Sequence, residues 1–383
     1  MLIKIKTVNI AFFFTYGYSL KTWEDSGTLE RELKPLRFLS KEYGYKFTLV
    51  TYGDESDLNI NNVNSEFDIL PIYTFTKKSK SKFINYTKSF ITPFRLKKRL
   101  SNVDAIHQHQ LLGSWVVIIL KWLLKKPLLI RTGYDMYQFS KFENKKRLII
   151  YLYKYLTYFS LKKANLYTVT SFADQEFLHS EFGNIFTNIL VRPNYVDLQD
   201  HGSVNKRPDN KFLCVGRLVE QKNFKLLINE FKNTAEQFEL NIVGEGKLKN
   251  ELKNFAELNN VNLNFLGSMN NKNLLEIYPN FKYFISPSLY EGNPKTVLEA
   301  MASGCIVLAS NIKNHTEIIT NENNGYIFDL DKPMLQKIVN ELNNNLEQQK
   351  FISNNSISYI SESNSLEILL MNMDKDYNNL FMS

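Results

Sequence analysis

The chain has 383 residues, a length that predicts two domains, and 44% of its residues are apolar, so each domain can bury a core. Charged residues make up 22%, which is ordinary for a globular protein. The two cysteines, Cys214 and Cys305, lie far apart in the sequence. This excludes a disulfide-rich scaffold, argues against a zinc site built on cysteine, and favours a reducing compartment.

Positive charge is concentrated in the N-terminal half. Residues 1–200 carry 29 Lys or Arg against 18 Asp or Glu, whereas residues 201–383 carry 18 against 21. The most basic stretch, 77–99, contains no acid and has four interleaved aromatic residues: Phe83, Tyr86, Phe90 and Phe94. It is either a solvated basic face over core aromatics or a patch that contacts anionic lipid headgroups. No recognition motif supports nucleic acid as a partner.

No segment is expected to span a membrane. The apolar run 8–14 follows a basic start, as in a signal peptide, but it is short and lacks a small-residue cleavage site, so a first buried strand is the better interpretation. The apolar stretches 111–124 and 148–161 are interrupted by lysine and are too short to cross a bilayer. We expect a cytoplasmic protein, with peripheral contact to the inner face of the cell membrane as an open alternative.

The N-terminal half alternates short apolar runs with amphipathic stretches, which predicts a parallel, doubly wound sheet. The predicted strands are 8–14, 47–51, 105–107, 128–131 and 166–170. The predicted helices are 27–43, with Pro35 as a potential kink, 111–124 and 145–162.

A polar, proline-containing segment separates this half from a second alternating series. We predict an N-terminal domain at 1–195, a linker at 196–210 and a C-terminal domain at 211–362, and leave open whether 363–383 packs back on the first domain. The second series of strands and helices covers 212–215, 223–231, 240–243, 247–259, 262–266, 273–277, 283–287, 296–302, 306–309 and 325–329. Ligands of such sheets bind beyond the carboxyl ends of the strands, so a cleft between two Rossmann-like domains is the expected site.

The segment 286–304, with the sequence SPSLYEGNPKTVLEAMASG, predicts a strand, a turn and a helix. Asn293 suits the N-cap of that helix and Pro294 its first position. The backbone amides at the helix start, including those of Lys295 and Thr296, form a site for an anion.

Two glutamates flank this predicted anion site. Glu291 lies just before the helix, and Glu299 lies in its second turn, roughly 7 Å along the axis. Carboxylates accept hydrogen bonds from sugar hydroxyls, so one can hold a ribose and the other a donor sugar. The alternative is an ordinary capped helix with two exposed glutamates.

The segment 214–228, with the sequence CVGRLVEQKNFKLLI, ends a predicted strand and begins a helix. Arg217 and Lys222 flank the carboxyl end of that strand. Fixed cations there stabilise the negative charge that develops on a departing diphosphate, Arg as a fork and Lys as a point charge. Taken alone, the two residues would be solvated loop cations.

These segments resemble glycosyltransferase family 4, retaining enzymes of the GT-B fold. GRLVEQKN resembles the glycine–arginine–lysine signature of that family, and EGNPKTVLEAMASG resembles its E-x7-E motif. NIVGEGKLKNEL, FLGSM and VRPNYVD also fall where the family has similar strings. The resemblance is specific over 191–329 and looser before it.

The resemblance implies a transferase, hexosyltransferase-like, whose donor is a nucleotide-diphosphate sugar of the UDP or GDP type. Arg217 and Lys222 would bind the diphosphate, Glu299 the ribose, and Glu291 would face the donor sugar as a catalytic residue. Amides over 293–296 would touch sugar or phosphate, although Pro294 has no N–H to offer. Leu266 would line the base pocket together with its neighbour Gly267.

For the N-terminal half, the resemblance concerns the string AIHQHQLLGSW. Family members often have H-x-H there, with the second histidine near the reaction centre, which implies a catalytic role for His109; a pair of structural histidines is the alternative. Gly27 opens a predicted helix and would let backbone approach the diphosphate. The long loop before it resembles members that act in bacterial surface-polysaccharide assembly, so Tyr18, Lys21 and Trp23 are candidates for the acceptor site.

Two patterns are set aside. Asp329-Leu330-Asp331 looks like a metal-binding D-x-D, but it reads as a strand end and turn, and the family is metal-independent, so we expect no metal and no cofactor. Gly244-Glu245-Gly246 lacks the third glycine of a dinucleotide fingerprint.

The sequence therefore predicts transfer of a sugar to a glycan or lipid-linked glycan in surface-polysaccharide biosynthesis. A nucleotide-sugar epimerase of similar fold and a non-catalytic nucleotide-sugar-binding partner protein are the alternatives.

Overall fold

The computed structural model describes residues 8–60, 63–183, 186–198, 202–234, 236–332 and 335–382. By their contacts the residues form two compact units, Met1–Arg192 with Leu369–Ser383, and Pro193–Ile368. We call them the N-terminal unit and the C-terminal unit.

The N-terminal unit contains a parallel sheet. Its strands are β1 (Asn9–Phe13), β2 (Lys46–Thr51), β3 (Asp68–Pro71), β4 (Ala105–Gln108), β5 (Leu128–Arg131), β6 (Leu166–Val169) and β7 (Ile189–Val191). Their order is β3-β2-β1-β4-β5-β6-β7. The order changes direction at β1, and ligands of doubly wound sheets bind at such switch points.

Helices connect these strands. They are α1 (Leu20–Asp25), α2 (Leu29–Tyr43), α3 (Val63–Glu66), α4 (Lys82–Ser89), α5 (Thr92–Arg99), α6 (Ser114–Leu124), α7 (Met136–Phe142), α8 (Arg147–Lys163) and α9 (Phe172–Phe182). The side chains of Leu96, Leu120 and Leu161, from α5, α6 and α8, share one buried core with strand residues such as Phe13 and Ile130. These three helices therefore cover the same face of the sheet.

The start of α2 differs from the prediction. The sequence predicts one helix over 27–43, but a separate helix α1 precedes it, with Ser19 as its N-cap accepting the Thr22 amide. Gly27 lies between α1 and α2 with a φ of +68°, a left-handed conformation that suits glycine. Pro35 lies inside α2, which continues across it.

The C-terminal unit contains a second parallel sheet. Its strands are β8 (Lys211–Val215), β9 (Glu239–Val243), β10 (Asn262–Gly267), β11 (Tyr283–Ser286), β12 (Ile306–Ser310) and β13 (Tyr326–Phe328). Their order is β10-β9-β8-β11-β12-β13. Its helices are α10 (Phe224–Glu230), α11 (Lys249–Leu258), α12 (Asn271–Ile277), α13 (Lys295–Ala302), α14 (Lys313–Thr316), α15 (Leu335–Asn343) and α16 (Leu346–Ser363).

The segment expected to be a linker, 196–210, lies within the C-terminal unit. Val196 and Val204 join apolar cores of that unit. The buried Arg207 donates hydrogen bonds to the carbonyl oxygens of Phe281, at 3.0 Å, and Ser303, at 2.7 Å.

The last helix, α17 (Leu366–Met382), contributes its residues from Leu369 onward to the N-terminal unit. The Tyr377 hydroxyl lies 2.7 Å from Nδ1 of His107, and Tyr45 donates a hydrogen bond to Asp374 at 2.8 Å. Arg192 binds Asp376 through two nitrogens, at 2.8 and 2.6 Å.

Candidate functional site

The candidate donor residues lie at one edge of the C-terminal sheet. Arg217 follows β8, and Lys222 ends a short 3-10 turn, Glu220–Lys222, before α10. The loop after β11 carries Glu291. Because β8 and β11 are parallel neighbours, their carboxyl ends meet at the same edge. The Leu289 amide donates to the Gln221 carbonyl at 2.9 Å, which fastens the two loops together.

Glu291 and Lys222 form a charge pair. Nζ of Lys222 lies 2.5 Å from Oε1 of Glu291, and the Ser288 hydroxyl donates to the same oxygen at 2.6 Å. Glu291 is only 8% exposed. A buried carboxylate held by a cation and a hydroxyl has a fixed position, and removal of its cation would leave a buried charge without compensation.

Glu299 lies on α13 and is also buried, at 4% exposure. Its Oε1 accepts a hydrogen bond from Asn271 at 3.1 Å, and its Oε2 accepts one from the Tyr278 hydroxyl at 3.1 Å. Burial and the neighbouring carboxylate together raise the pKa of Tyr278 well above its ordinary value, so this phenol stays protonated as a donor. A carboxylate has about four acceptor positions, so these contacts orient Glu299 and still leave acceptor capacity.

The start of α13 corrects the predicted cap. The helix begins at Lys295, and Pro294 rather than Asn293 occupies the cap position, with no side-chain cap. Asn293 instead holds Asn194: its Oδ1 accepts the Asn194 amide, and its carbonyl accepts the Asn194 side chain, both at 2.9 Å. A bond to a distant part of the chain has replaced the local cap.

The start of α13 is the place where the sequence predicts an anion site. The amides of Val297 and Leu298 are the first to bond within the helix, to the Pro294 carbonyl. Those of Lys295 and Thr296 precede them, in the positions from which helix starts bind anions.

The Gly244-Glu245-Gly246 string has a structural role that the sequence did not reveal. Gly244 has a φ of +145°, and a Cβ built on it would lie 2.0 Å from the Gly216 carbonyl oxygen. A Cβ on Gly246 would lie 2.4 Å from the Leu218 carbonyl oxygen. Only glycine lets this loop lie against 216–218, the loop that presents the exposed Arg217.

Leu266, the residue predicted for the base pocket, lies near the end of β10 and is 38% exposed. The pairing of β10 with β9 shifts register between Phe265 and Gly267, and Gly267 has a φ of +74°. A bulge of this kind re-aims the side chain within it.

His315 was not predicted from the sequence; it is fully buried and contacts Ser286 and Ser310, at the ends of β11 and β12. Its Nε2 lies 3.3 Å from the Ser286 hydroxyl, and its Nδ1 lies 2.9 Å from the Ser310 carbonyl oxygen. The Ser310 hydroxyl in turn donates to the Ser288 carbonyl at 2.6 Å. Burial lowers the pKa of His315, so it is held neutral. No pattern marks a lone histidine of this kind in a sequence.

The two histidines of the H-x-H string have different surroundings. His107, at 3% exposure, points into the N-terminal unit against Tyr377. His109 follows β4, and its Nε2 lies 3.5 Å from Oε2 of Glu32 on α2. The Trp23 ring lies 5.6 Å from the His109 ring, measured between centroids.

His109 and Glu32 line a cavity of about 490 Å³ within the N-terminal unit. Its other lining residues include Tyr18, Trp23, Ser26, Thr28, Arg31 and Tyr134. Gly27 does not line the cavity, but its neighbours Ser26 and Thr28 do. Lys21 does not line it either and forms ion pairs with Glu24 and Asp25. Tyr18 and Trp23 were predicted, whereas Arg31 and Glu32 were missed because they look like ordinary charges on a helix.

The described part of the chain contains no cluster of three or more histidine, cysteine or acidic side chains arranged to hold a metal ion. Asp329 accepts hydrogen bonds from Asn311 and Lys332, at 2.8 and 2.7 Å. None of the described helices has the length and apolar character of a membrane span.

Residues 197–358 match the family described as glycosyl transferases group 1. A capsular polysaccharide biosynthesis glycosyltransferase from Staphylococcus aureus is 27% identical over 60% of this chain and 66% of its own length. The UDP-Gal:alpha-D-GlcNAc-diphosphoundecaprenol alpha-1,3-galactosyltransferase from Escherichia coli is 27% identical over 64% of this chain and 67% of its own length. The chain thus spans about two thirds of each of these relatives.

Solved structures share the fold. A glycosyltransferase from Rickettsia africae has a TM-score of 0.72 at 16% identity, covering 98% of this chain and 99% of its own. A sucrose-phosphate synthase from Thermosynechococcus elongatus has a TM-score of 0.76 at 16% identity with the same coverage. Anabaena HepE, solved with UDP and glucose, has a TM-score of 0.72 at 15% identity, covering 97% and 100%.

These likenesses confirm the predicted GT-B fold of two Rossmann-like domains. The family match supports glycosyltransferase activity, and the relative from Staphylococcus aureus is named for capsular polysaccharide biosynthesis. Membership of family 4, the retaining outcome and the roles of individual residues remain predictions.

Proposed function

We propose that this protein is a retaining glycosyltransferase of cell-surface polysaccharide biosynthesis, with a UDP- or GDP-type sugar as donor and a glycan or lipid-linked glycan as acceptor. The observation that carries the proposal is the meeting of Lys222, Glu291 and the start of α13 at one sheet edge, inside the segment that matches the family. The names of the relatives support the substrate classes, since one contains capsular polysaccharide and another a diphosphoundecaprenol acceptor.

The diphosphate of the donor is proposed to bind between the cations and the helix start. Arg217 is exposed and can approach a phosphate as a two-pronged donor. Lys222 already neutralises Glu291, so it would share its charge between that carboxylate and the diphosphate. The amides of Lys295 and Thr296 would complete the site. Donors fixed in advance stabilise the charge that develops on the leaving diphosphate without reorganising during the reaction.

The two glutamates are proposed to hold opposite ends of the donor. Glu299, held by Asn271 and Tyr278, is oriented before a ligand arrives and would bind the ribose hydroxyls. Glu291 would accept hydrogen bonds from the donor sugar next to the reacting carbon. Leu266 would pack against the base. In the N-terminal unit, the cavity that contains His109 would receive acceptor hydroxyl groups.

The first test is thermal stabilisation of the purified protein by a panel of nucleotides and nucleotide sugars, with and without EDTA. A ligand present at a hundred times its Kd adds about 2.7 kcal/mol to the free energy of unfolding, so one diphosphate class should stand out. We expect that stabilisation to be insensitive to EDTA and lost in Arg217→Ala. Lys253→Ala, which removes an exposed cation elsewhere in the same unit, is the matched control.

Stabilisation by none of the nucleotides would overturn the proposed donor site and favour a non-catalytic partner protein. Product analysis with the donor alone provides the second check. Isomerised nucleotide sugar in the absence of any acceptor would identify an epimerase and contradict sugar transfer.

A further inference from the structure

Helix α8 exposes an apolar stripe to solvent. Its side chains at helical spacing are 50% to 71% exposed: Leu148, Tyr151, Leu152, Tyr155 and Phe159. The residues that α8 buries lie in its last turns: Thr157, Ser160 and Leu161. An amphipathic helix ordinarily turns such a stripe towards the core, and an exposed one of this length marks an interaction surface.

The basic stretch 77–99 has the same character. It forms α4 and α5, and two of its aromatic residues are prominently exposed, Phe83 at 74% and Phe94 at 57%. Tyr86 and Phe90 are also exposed, at 42% and 39%, so the interpretation that these four aromatic residues belong to the core is wrong. The other two, Tyr86 and Phe90, pack edgewise and stacked against Trp115 of α6.

Helix α6 connects these two surfaces. The Trp115 indole donates to the Ser89 hydroxyl of α4 at 2.8 Å, and the Ser160 hydroxyl of α8 donates to Ser114 at 2.9 Å. On α6 itself, Trp122 is 74% exposed. Because α5, α6 and α8 cover one face of the sheet, their outer sides point the same way. We call the exposed side chains of α4, α5, α6 and α8 the aromatic–basic face.

The segments that carry these aromatic residues are rich in positive charge. The stretch 77–99 contains nine Lys or Arg and no acid. The stretch 141–163, which contains α8, holds seven Lys or Arg and one acid, Glu143. That acid is paired with Lys145 at 2.9 Å, and two of the seven cations, Lys141 and Lys154, pair with Glu181 of α9 at 2.5 and 3.3 Å. Lys125 and Lys126 follow the end of α6.

We propose that the aromatic–basic face docks on an anionic lipid bilayer. Aromatic rings favour the headgroup region, and each Lys or Arg near an anionic surface adds to the attraction. Apolar and cationic side chains on the same surface are typical of helices that lie in a membrane interface. A second copy of the chain is a poorer partner, because a two-fold dimer through this face would bring two cationic surfaces together.

The test is flotation of the full chain, without nucleotide sugar, with vesicles of phosphatidylcholine alone and of phosphatidylcholine mixed with phosphatidylglycerol. We expect binding to the mixed vesicles alone, and weaker binding as salt is raised. The triple variant Lys145→Gln, Lys146→Gln, Arg147→Gln should bind about a hundredfold more weakly, since each cation contributes about fivefold. The double variant Tyr151→Ser, Tyr155→Ser should also lose binding.

Matched controls lie in the C-terminal unit. Leu258→Ser removes an apolar side chain that is 84% exposed, and Lys253→Gln removes an exposed cation. Neither should change vesicle binding. Circular dichroism and thermal unfolding of every variant would separate a lost surface from a lost fold.

Three results would overturn the proposal: no binding to anionic vesicles, equal binding by the variants and the parent, or concentration-dependent self-association that Tyr151→Ser and Tyr155→Ser abolish. The last result would identify a second copy as the occupant. Because no donor is present, failure here would leave the proposed sugar transfer standing, and failure of the donor panel would leave this proposal standing.

Discussion

The two units hold their candidate residues in different ways. In the C-terminal unit, opposite charges are in direct contact, with Lys222 2.5 Å from the buried Glu291, and the loops that carry them are bonded together. In the N-terminal unit, His109 lies 3.5 Å from Glu32 at the edge of a cavity of about 490 Å³ with aromatic walls. The first arrangement is compact and charged, and the second is open.

This difference follows from the loops, since both units are built on parallel sheets of similar strand order. Short loops after β8 and β11 bring a few charges together, which suits one invariant chemical group such as a diphosphate. The longer segment between β1 and α2 builds a wider cavity, which suits a larger ligand that presents ring faces as well as hydroxyls. The predictions below test whether the two sites divide the work in this way.

The largest effect is expected from Lys222→Ala. It removes the cation from a carboxylate that is 8% exposed, and it removes a proposed diphosphate ligand. We expect kcat/KM for the donor to fall by about a hundredfold to a thousandfold. Steady-state kinetics with varied donor would measure it. Lys225→Ala, whose pair with Glu251 is solvent-exposed, is the control and should change little. If Lys222→Ala kept the kinetic constants of the parent protein, Lys222 would not be a ligand of the donor diphosphate.

The second largest effect concerns Gly244, whose backbone lies against the loop that carries Arg217. Gly244→Ala would place a methyl group against the Gly216 carbonyl and should cost the C-terminal unit about 3 kcal/mol of unfolding free energy. Gly44→Ala is the control, since it also has a positive φ but an open environment, and it should cost only about 1 kcal/mol. Urea titration of both variants would measure the difference. Equal costs would mean that the close loop contact is not a constraint.

In the N-terminal unit, Glu32→Gln should act on the acceptor alone. Loss of the charge beside His109 should lower activity at limiting acceptor by about tenfold, the effect of one hydrogen bond to a charged group. Donor affinity should stay unchanged. Glu30→Gln, on the same helix with its carboxylate towards Arg37, is the control. Steady-state kinetics with the donor and the acceptor varied in turn would separate the two effects. A change in donor affinity would contradict the assignment of the acceptor to the N-terminal unit and the donor to the C-terminal unit.

The smallest effect is a pH dependence of the N-terminal unit. Burial lowers the pKa of His107 well below its ordinary value of 6.5. Below pH 6.5, His107 therefore binds a proton in the unfolded chain but stays neutral in the folded chain. Stability should therefore fall as pH drops below 6.5, by about 1 kcal/mol per pH unit at first. Urea titrations from about pH 7 to about pH 5.5 should show this slope, and His107→Gln should reduce it.

A second buried group opposes this slope. Burial raises the pKa of Asp135 to about 6, so its own contribution to stability increases as pH falls through that value. The contribution of Asp135 is the same in the parent and in His107→Gln, so the difference between their two pH slopes reports the contribution of His107 alone. Identical slopes would show that His107 is not the group that titrates.

Much of the fold could be predicted because apolar runs bounded by turn residues mark buried strands. The strand over 128–131 has the predicted bounds, and α13 begins one residue before its prediction. In contrast, β3 escaped notice because this short strand begins with Asp68 and ends with Pro71, which is typical of loops. It pairs with β2 through backbone bonds that do not depend on those side chains.

The candidate site could be predicted only where its residues lie close together in the sequence. Glu291, Asn293 and Glu299 fall in one short segment, and a family resemblance identified them together. The tertiary bond from Asn194 to Asn293 and the burial of His315 depend on strands far apart in sequence. Glu32 was missed for the same reason, because only the folded sheet brings α2 beside the end of β4.

The contribution of α17 to the N-terminal unit has a consequence for synthesis on the ribosome. Pro193–Ile368 are contiguous and can fold as soon as they emerge, but the first 192 residues lack their covering helix until the chain has been translated to Tyr377. Domains are usually expected to fold in the order in which they are made. Here the unit that is made first is completed last, so a stop codon near residue 368 would damage the opposite end of the chain.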